Sequence, residues 1–450
     1  MEYFGAGSWR GVQGGSSPGG FSGKVAAFDG RPRNGEDWMR LLHTSDWHLG
    51  QHFMGKTRQA EHQALIGWLL EQVEARQVDA VLIAGDLFDT GTPPSYAREL
   101  YNQLVVSLHA LRVPLLLLAG NHDSVATLNE SRELLARLGA TVITTAGADP
   151  ASQLVLLPGR DGNPGCLVGA VPFIRPRDLL QSQAGQSGED KQRSLQSAIQ
   201  AHYAAVHDAL VERQQALETS LGRRLPLVLT GHLTTVGASA SESVREIYVG
   251  ALEAFPTSAF PPADYIALGH IHRPQKVGGL EHIRYSGSPL PLSFDEAGQQ
   301  KEMLLVDLEA GGLAAVTPLP VPRFQGLAAI RGSLDSLAGP IGAAAALGSP
   351  ERPTWLEVTV NGDDWLADLP ARLEQLTAGW PVDILRIRRA RGNEAARLAA
   401  SPGLTLEELS PDEVFARRLA QEDLDEPQRE ALTGLYRHIL AGIADPAPGP

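Results

Sequence analysis

The stretch His43-Thr44-Ser45-Asp46-Trp47-His48-Leu49-Gly50 decides how this chain is read. It continues the apolar Leu41-Leu42 and passes within a few positions from strand-like sequence to acid and imidazole side chains. Four later stretches repeat this order of apolar strand, small residue and metal-binding side chain: Gly85-Asp86-Leu87-Phe88-Asp89, Gly120-Asn121-His122-Asp123, Gly231-His232 and Gly269-His270-Ile271-His272. In an α/β sheet the C-terminal strand ends form the crevice where ligands sit. Glycine there lets the backbone turn sharply toward them. Singly, each stretch is weak. Asp after Gly commonly caps a helix or turn, Gly-Asn-His-Asp suits an Asx turn, and a lone Gly-His is usually a satisfied histidine. Turn chemistry alone does not account for five such strand ends in one chain.

Residues two apart in an extended segment point to the same side. Asp46 with His48, and His270 with His272, are therefore expected to grip one ion per pair if those stretches stay extended. Carboxylate, amide oxygen and imidazole without sulfur suit Mn²⁺, Fe²⁺, Zn²⁺ or Mg²⁺ rather than a structural zinc finger. Seven candidate ligands are too many for one ion. They are about right for two ions sharing a carboxylate, roughly 3.5–4 Å apart.

From Met39 to about Pro320, apolar strands at Leu41–His43, Ala80–Ala84, Leu115–Ala119, Leu227–Thr230 and Tyr265–Leu268 alternate with helical patterning at Ala60–Ala75, Ser95–Leu111 and Ser194–Leu217. That alternation predicts an α/β layered domain. Gly and Pro turns between Tyr285 and Leu308 predict a second, more antiparallel sheet closing it. Past Pro318-Leu319-Pro320, strands at Trp355–Val360 and Ile384–Arg388 with a helix at Asp364–Leu376 predict a small α/β module over about residues 321–400. The Ala/Gly-rich Gly339–Gly348 reads as a loose loop inside it. Ser410-Pro411-Asp412-Glu413 forms a capping box, and a second helix follows Asp425-Glu426-Pro427. Residues 401–450 are thus expected to be a helical hairpin and a tail. Residues 1–38 are Gly/Ser-rich and lack the apolar core of a signal peptide. They read as a disordered extension, or as sequence ahead of a true start at Met39.

The 450 residues, 43% hydrophobic and 20% charged, have the composition of a soluble globular protein. The single Cys166 excludes an intramolecular disulfide framework and a thiolate metal cluster, as expected of a reducing cytoplasm. It lies in a strand-like stretch, where a nucleophilic role is not expected. The longest apolar run, Leu104 to Ala119, is broken by Ser107, His109, Arg112 and Pro114. It falls short of the roughly 20 apolar residues that cross a bilayer. A formal net charge of −14 argues against coating nucleic acid by bulk electrostatics. Carboxylates gathered around cations inflate such a count, so a metal-dependent enzyme stays within bounds.

The series Asp-x-His, Gly-Asp, Gly-Asn-His, Gly-His and Gly-His-x-His resembles the calcineurin-type metallophosphoesterase superfamily. From Met39 on, the chain is similar to the bacterial SbcD family of nuclease subunits, over His43–Gly50, Gly120–Arg132, Thr230–Ala238 and Tyr265–Arg273. The resemblance implies a two-sheet sandwich flanked by helices over residues 39–320, then a capping α/β domain and the helical hairpin. It implies that Asp46, His48 and His272 hold one ion and that Asn121, His232 and His270 hold the other, with Asp86 bridging. His122 matches the catalytic histidine that stabilises the transition state and protonates the departing oxygen. The implied cations are Mn²⁺ first and Mg²⁺ second. Some relatives carry histidine three residues after the bridging aspartate, where this chain has Asp89. In phosphatase members an Asp there pairs with the catalytic histidine, so Asp89 is expected either to orient and charge His122 or only to cap the next helix.

The resemblance also implies a homodimer joined to two SbcC-type ATPase subunits in the cytoplasm, acting in DNA recombination, replication and repair. The complex would degrade double-stranded DNA ends from the 3′ side and cut hairpins. ATP would belong to the partner, since no Gly-x-x-x-x-Gly-Lys-Ser/Thr loop occurs here. The hairpin would dock on the coiled-coil base of the ATPase, or else pack on its own domain. Lys56, Arg58 and Arg98 either meet the DNA backbone or form solvated helix faces. Two other readings compete. A phosphatase or cyclic-nucleotide phosphodiesterase has no need of the chain beyond Pro320, and a non-catalytic scaffold has no need of a complete ligand set.

Overall fold

The computed structural model describes residues 38–180, 187–241, 243–244, 254–361 and 368–390, together with 415, 419, 428 and 432–436. The chain divides into two units, Met1–Gln325 and Gly326–Pro450. The expectation for residues 1–38 falls, but for Trp38, outside the described residues.

In the first unit the apolar strand Trp38–Thr44 pairs in parallel with Ala80–Ala84, which pairs with Leu115–Leu118 and then Ala140–Ile143. A hairpin of Glu302–Glu309 and Gly312–Pro320 closes the other edge, antiparallel to Trp38–Thr44. The second sheet runs in the order Gln275–Val277, Leu280–Tyr285, Tyr265–Gly269, Leu227–His232, Pro164–Gly169, Leu154–Pro158. Its central strands are parallel.

The expected second sheet is thus displaced. It is built from residues 154–285, whereas the turn-rich 285–320 region returns to extend the first sheet. Pairing partners this far apart in sequence leave no local signal. The rest follows from strands that are apolar on both faces, as buried parallel strands are. Leu41, Leu82, Leu116 and Leu118 point inward to meet Cys166, Val168, Val228 and Ala267 of the second sheet. Leu42, Val81, Ile83 and Leu117 point outward under the helices Gln59–Ala75 and Ser95–Ala110 through Leu65, Leu69, Leu100 and Leu104. On the opposite face, Leu229, Ile266 and Leu268 lie under the long helix Gly188–Leu221 through Ile199, Tyr203 and Val206. No helix among the described residues is long and apolar enough to cross a membrane.

The second unit holds a parallel sheet of Leu327–Gly332, Thr354–Val360 and Val382–Arg389. Gly339–Gly348 is not a loose loop: Ala338–Ala345 is a helix. Its Ile341 and Ala344 pack with Leu356, Val358 and Leu373, and burial outweighs the weak helix propensity of glycine. The strand Leu327–Gly332 and the helix Leu369–Thr377 complete the layer. Of the expected C-terminal hairpin only residues 415, 419, 428 and 432–436 are described, all helical. Phe415 stacks on Tyr436 with ring centroids 3.9 Å apart.

Candidate metal centre

Every motif singled out above lies at the C-terminal end of a parallel strand in one of the two sheets. The loop after Trp38–Thr44 is laced to the loop after Ala80–Ala84. Asp46 N donates to Gly85 O at 3.0 Å, His48 N to Asp86 O at 3.1 Å and Leu49 N to Leu87 O at 2.8 Å. Asp123 ties in the third loop, its carboxylate accepting from Gly120 N at 2.9 Å, Phe88 N at 2.9 Å and Leu87 N at 3.2 Å. Burial, with the Asp86 charge adding to it, pushes the Asp123 carboxyl up to about 6. Arg175 clamps the same loop by donating to Asp123 O at 3.0 Å. Asp123 fell inside a quoted motif without a role. Arg175 gave no sequence signal.

The ligand-bearing stretches are not extended. Asp46, His48, Asp86 and His270 have φ of 55°, 47°, 49° and 94°, a left-handed region that costs non-glycine residues on the order of 1 kcal/mol each. The interloop hydrogen bonds hold them there. Close approach explains the glycines: a Cβ on Gly85, itself at φ 95°, would lie 2.1 Å from His232 Nδ1.

The turns sort the side chains into groups whose ligand atoms lie within 4.8 Å of one another: Asp46, His48 and His272; Asp86, His232 and His270; and His48, Asp86 and His122. Asp46 and His48 do share a group. His270 and His272 fall into different groups, because the backbone reverses at His270 instead of running straight. Asn121 Oδ1 lies 3.0 Å from His232 Nε2, which places it with the second group. Asp86 stands between the groups, with Oδ2 3.2 Å from His232 Nε2 and 3.8 Å from His48 Nε2. Its Oδ1 accepts from His122 N at 2.8 Å.

Asp46, His48, Asp86, His232, His270 and His272 are almost wholly buried, and their electrostatics interlock. Burial works against a charged His232, but the Asp86 carboxylate overrides it and lifts the ring to about 9. Asp86 resists burial in the same way and is held well below the carboxylate range, chiefly by His232. His270, crowded by burial and by His232, is driven well below the ordinary value. Fixed roles for the outer nitrogens aim the inner ones at the centre. His232 Nδ1 donates to Ala84 O at 2.9 Å, and the buried Nε2 atoms of His48 and His270 have no hydrogen-bond partner. Buried lone pairs without donors, a carboxylate between two groups and an all-N/O donor set fit divalent cations.

Asp89 meets two of the histidines with two different atoms. Its carboxylate Oδ1 lies 3.1 Å from His48 Nδ1, and it is its main-chain oxygen that meets His122 Nδ1 at 2.7 Å. The left-handed turn at His48 brings that ring within reach of the acid. His122 is half-buried at the rim, its ring edge-on to His48 with centroids 4.7 Å apart. Of the basic candidates, Arg58 is buried and paired with both oxygens of Glu61 at 2.7 and 2.8 Å, which removes it from any DNA contact. Lys56 and Arg98 are exposed.

Residues 39–274 match the calcineurin-like phosphoesterase family, and residues 323–423 match the SbcD_C family, described as the type 5 capsule protein repressor C-terminal domain. The chain is 50% identical over 411 residues to the SbcD subunit of the nuclease SbcCD of Escherichia coli strain K12, covering 90% of this chain and 99% of that protein. It is 34% identical over 393 residues to the corresponding SbcCD nuclease subunit of Rhodobacter capsulatus, covering 84% and 94%.

Proposed function

The chain belongs to the calcineurin-like phosphoesterases and, within them, to the SbcD nuclease subunits, and from that premise we propose that it cuts DNA phosphodiesters with two divalent cations as one subunit of an SbcCD-type complex. The observation that carries this reading is Asp86, whose one carboxylate faces His48 on one side and His232 on the other. Asp46, His48 and His272 would hold one cation, and Asn121, His232 and His270 the other, with Asp86 shared. Bound there, the cations supply Lewis acidity, lowering the pKa of water toward neutrality and neutralising phosphate charge. Mn²⁺ suits this mixed carboxylate and imidazole set, and Mg²⁺ is the second choice.

The chain's own residues do the rest. His122 is held at Nδ1 by the Asp89 carbonyl, and from its other nitrogen it would give a proton to the departing 3′ oxygen. A proton placed this way is worth about 10²–10⁴-fold in rate. Asp123 and Arg175 hold the His122 loop in register. No covalent intermediate is needed.

By analogy with its relatives, the chain would work as a homodimer with two SbcC-type ATPase subunits in the cytoplasm, shortening double-stranded ends from the 3′ side and opening hairpins. Residues 321–400 would cap the nuclease domain and residues 401–450 would dock on the ATPase. The match at residues 323–423 favours this over a minimal phosphodiesterase. The test is cleavage of a labelled DNA hairpin with Mn²⁺, with and without the ATPase partner and ATP. Cleavage stimulated by both is expected. Turnover of a small phosphodiester with DNA left intact under every condition would move the assignment to the phosphodiesterase reading.

A further inference from the structure

Glu296, in the short turn Phe294–Glu296, is fully buried beside His272. Its Oε1 accepts from Ser241 Oγ at 2.6 Å and from Ser243 Oγ. Its Oε2 accepts from Leu292 N at 2.9 Å and from Lys301 Nζ at 2.6 Å. Ser243 Oγ lies 2.6 Å from His272 Nδ1, and Glu296 Oε1 itself is 3.5 Å from that nitrogen. Lys301, equally buried, also donates to the main-chain oxygen of His272 at 2.9 Å. One buried ion pair therefore grips His272 twice, the acid at the ring through Ser243 and the lysine at the backbone.

A buried pair of this kind adds little net stability compared with apolar packing. A carboxylate behind a metal-ligating histidine, in contrast, fixes its tautomer and raises its basicity. We propose that Glu296, charge-balanced by Lys301, is a positioning residue for His272, acting through Ser243. The His272 Nδ1–H donates to Ser243 Oγ, and the serine hydroxyl donates to Glu296. His272 Nε2 is thereby left unprotonated and turned toward Asp46 and His48, the group it shares. The inference rests on the two-cation reading given above.

The test is calorimetric titration of the metal-free chain with Mn²⁺, for wild type, Glu296→Gln/Lys301→Met, Ser243→Ala and His272→Ala. The double variant removes both charges, so neither is left buried alone and cooperative melting is retained. Wild type is expected to take up two ions. The double variant and Ser243→Ala should each weaken one of them by about 10–100-fold, the same ion that His272→Ala loses, and leave the other unchanged. Wild-type affinity for both ions in the double variant and in Ser243→Ala would overturn the inference, and so would equal weakening of both ions. Uptake of a single ion by wild type would bring down the two-cation reading itself, and this inference with it.

Discussion

Asp89 lends two different atoms to the centre: its main-chain oxygen to His122 and its carboxylate to His48. The side chain therefore reaches a proposed ligand, while the backbone oxygen holds the proposed acid. Asp89→Asn keeps the backbone contact and replaces a charged acceptor with a neutral amide. Mn²⁺ affinity should fall about tenfold for the ion held by His48, as is usual when a partner behind a metal ligand is lost, with the pH profile of saturated cleavage unchanged. A shifted profile at wild-type affinity would restore the carboxylate–His122 pairing. His232 supplies a second prediction. Its ring is raised to about 9 by Asp86 against the opposing effect of burial. In the metal-free chain this ion pair adds stability fully present below about pH 6.5, the ordinary histidine value, and lost as pH rises through about 9. Cation binding needs the neutral ring, so apparent affinity should climb up to about tenfold per pH unit over that same interval for the displaced proton. Calorimetry at pH 7 in two buffers of different ionisation enthalpy should detect at least one proton released. Identical heats in both buffers would contradict it.

At the scale of elements, the strands that carry the motifs were readable because most are short apolar runs followed closely by glycine or another small residue. Ala80–Ala84 appears with its expected bounds, and Leu227 and Tyr265 open their strands as expected. What sequence could not supply was long-range partnership. The hairpin 302–320 joins Trp38–Thr44 across more than half the chain, and Glu296 finds Ser241 at a separation of 55 residues. Neither leaves a periodic trace. Local periodicity also misjudged the ligand turns, since the left-handed backbone at Asp46 and His48 is imposed by hydrogen bonds from the neighbouring loop. The helix Ala338–Ala345 was hidden by its small residues and is made by burial of Ile341 and Ala344. Ile341→Ala should therefore destabilise the second unit by about 2–5 kcal/mol. A lower first transition in thermal melting with unchanged Mn²⁺ uptake is expected. An unaltered melt would mean that the helix is dispensable to that unit's core.

For the whole molecule, the net charge of −14 argues against coating nucleic acid by bulk electrostatics and is consistent with carboxylates gathered around cations. The two units bear on the division of labour, since the residues gathered at the metal centre all lie before Gln325. Removing residues 402–450 should abolish co-purification with the ATPase subunit while Mn²⁺-dependent turnover of a small phosphodiester persists. Retained binding of the partner would place its docking surface elsewhere. The central claim is that this chain itself breaks the DNA phosphodiester, with His122 as the acid beside two held cations. It is tested most directly by single-turnover cleavage of a labelled hairpin by wild type and His122→Ala, with Mn²⁺ occupancy measured on the same samples. The account predicts unchanged uptake of two ions and a rate lower by about 10²–10⁴-fold. Cleavage by His122→Ala at the wild-type rate, with both ions bound, would contradict it.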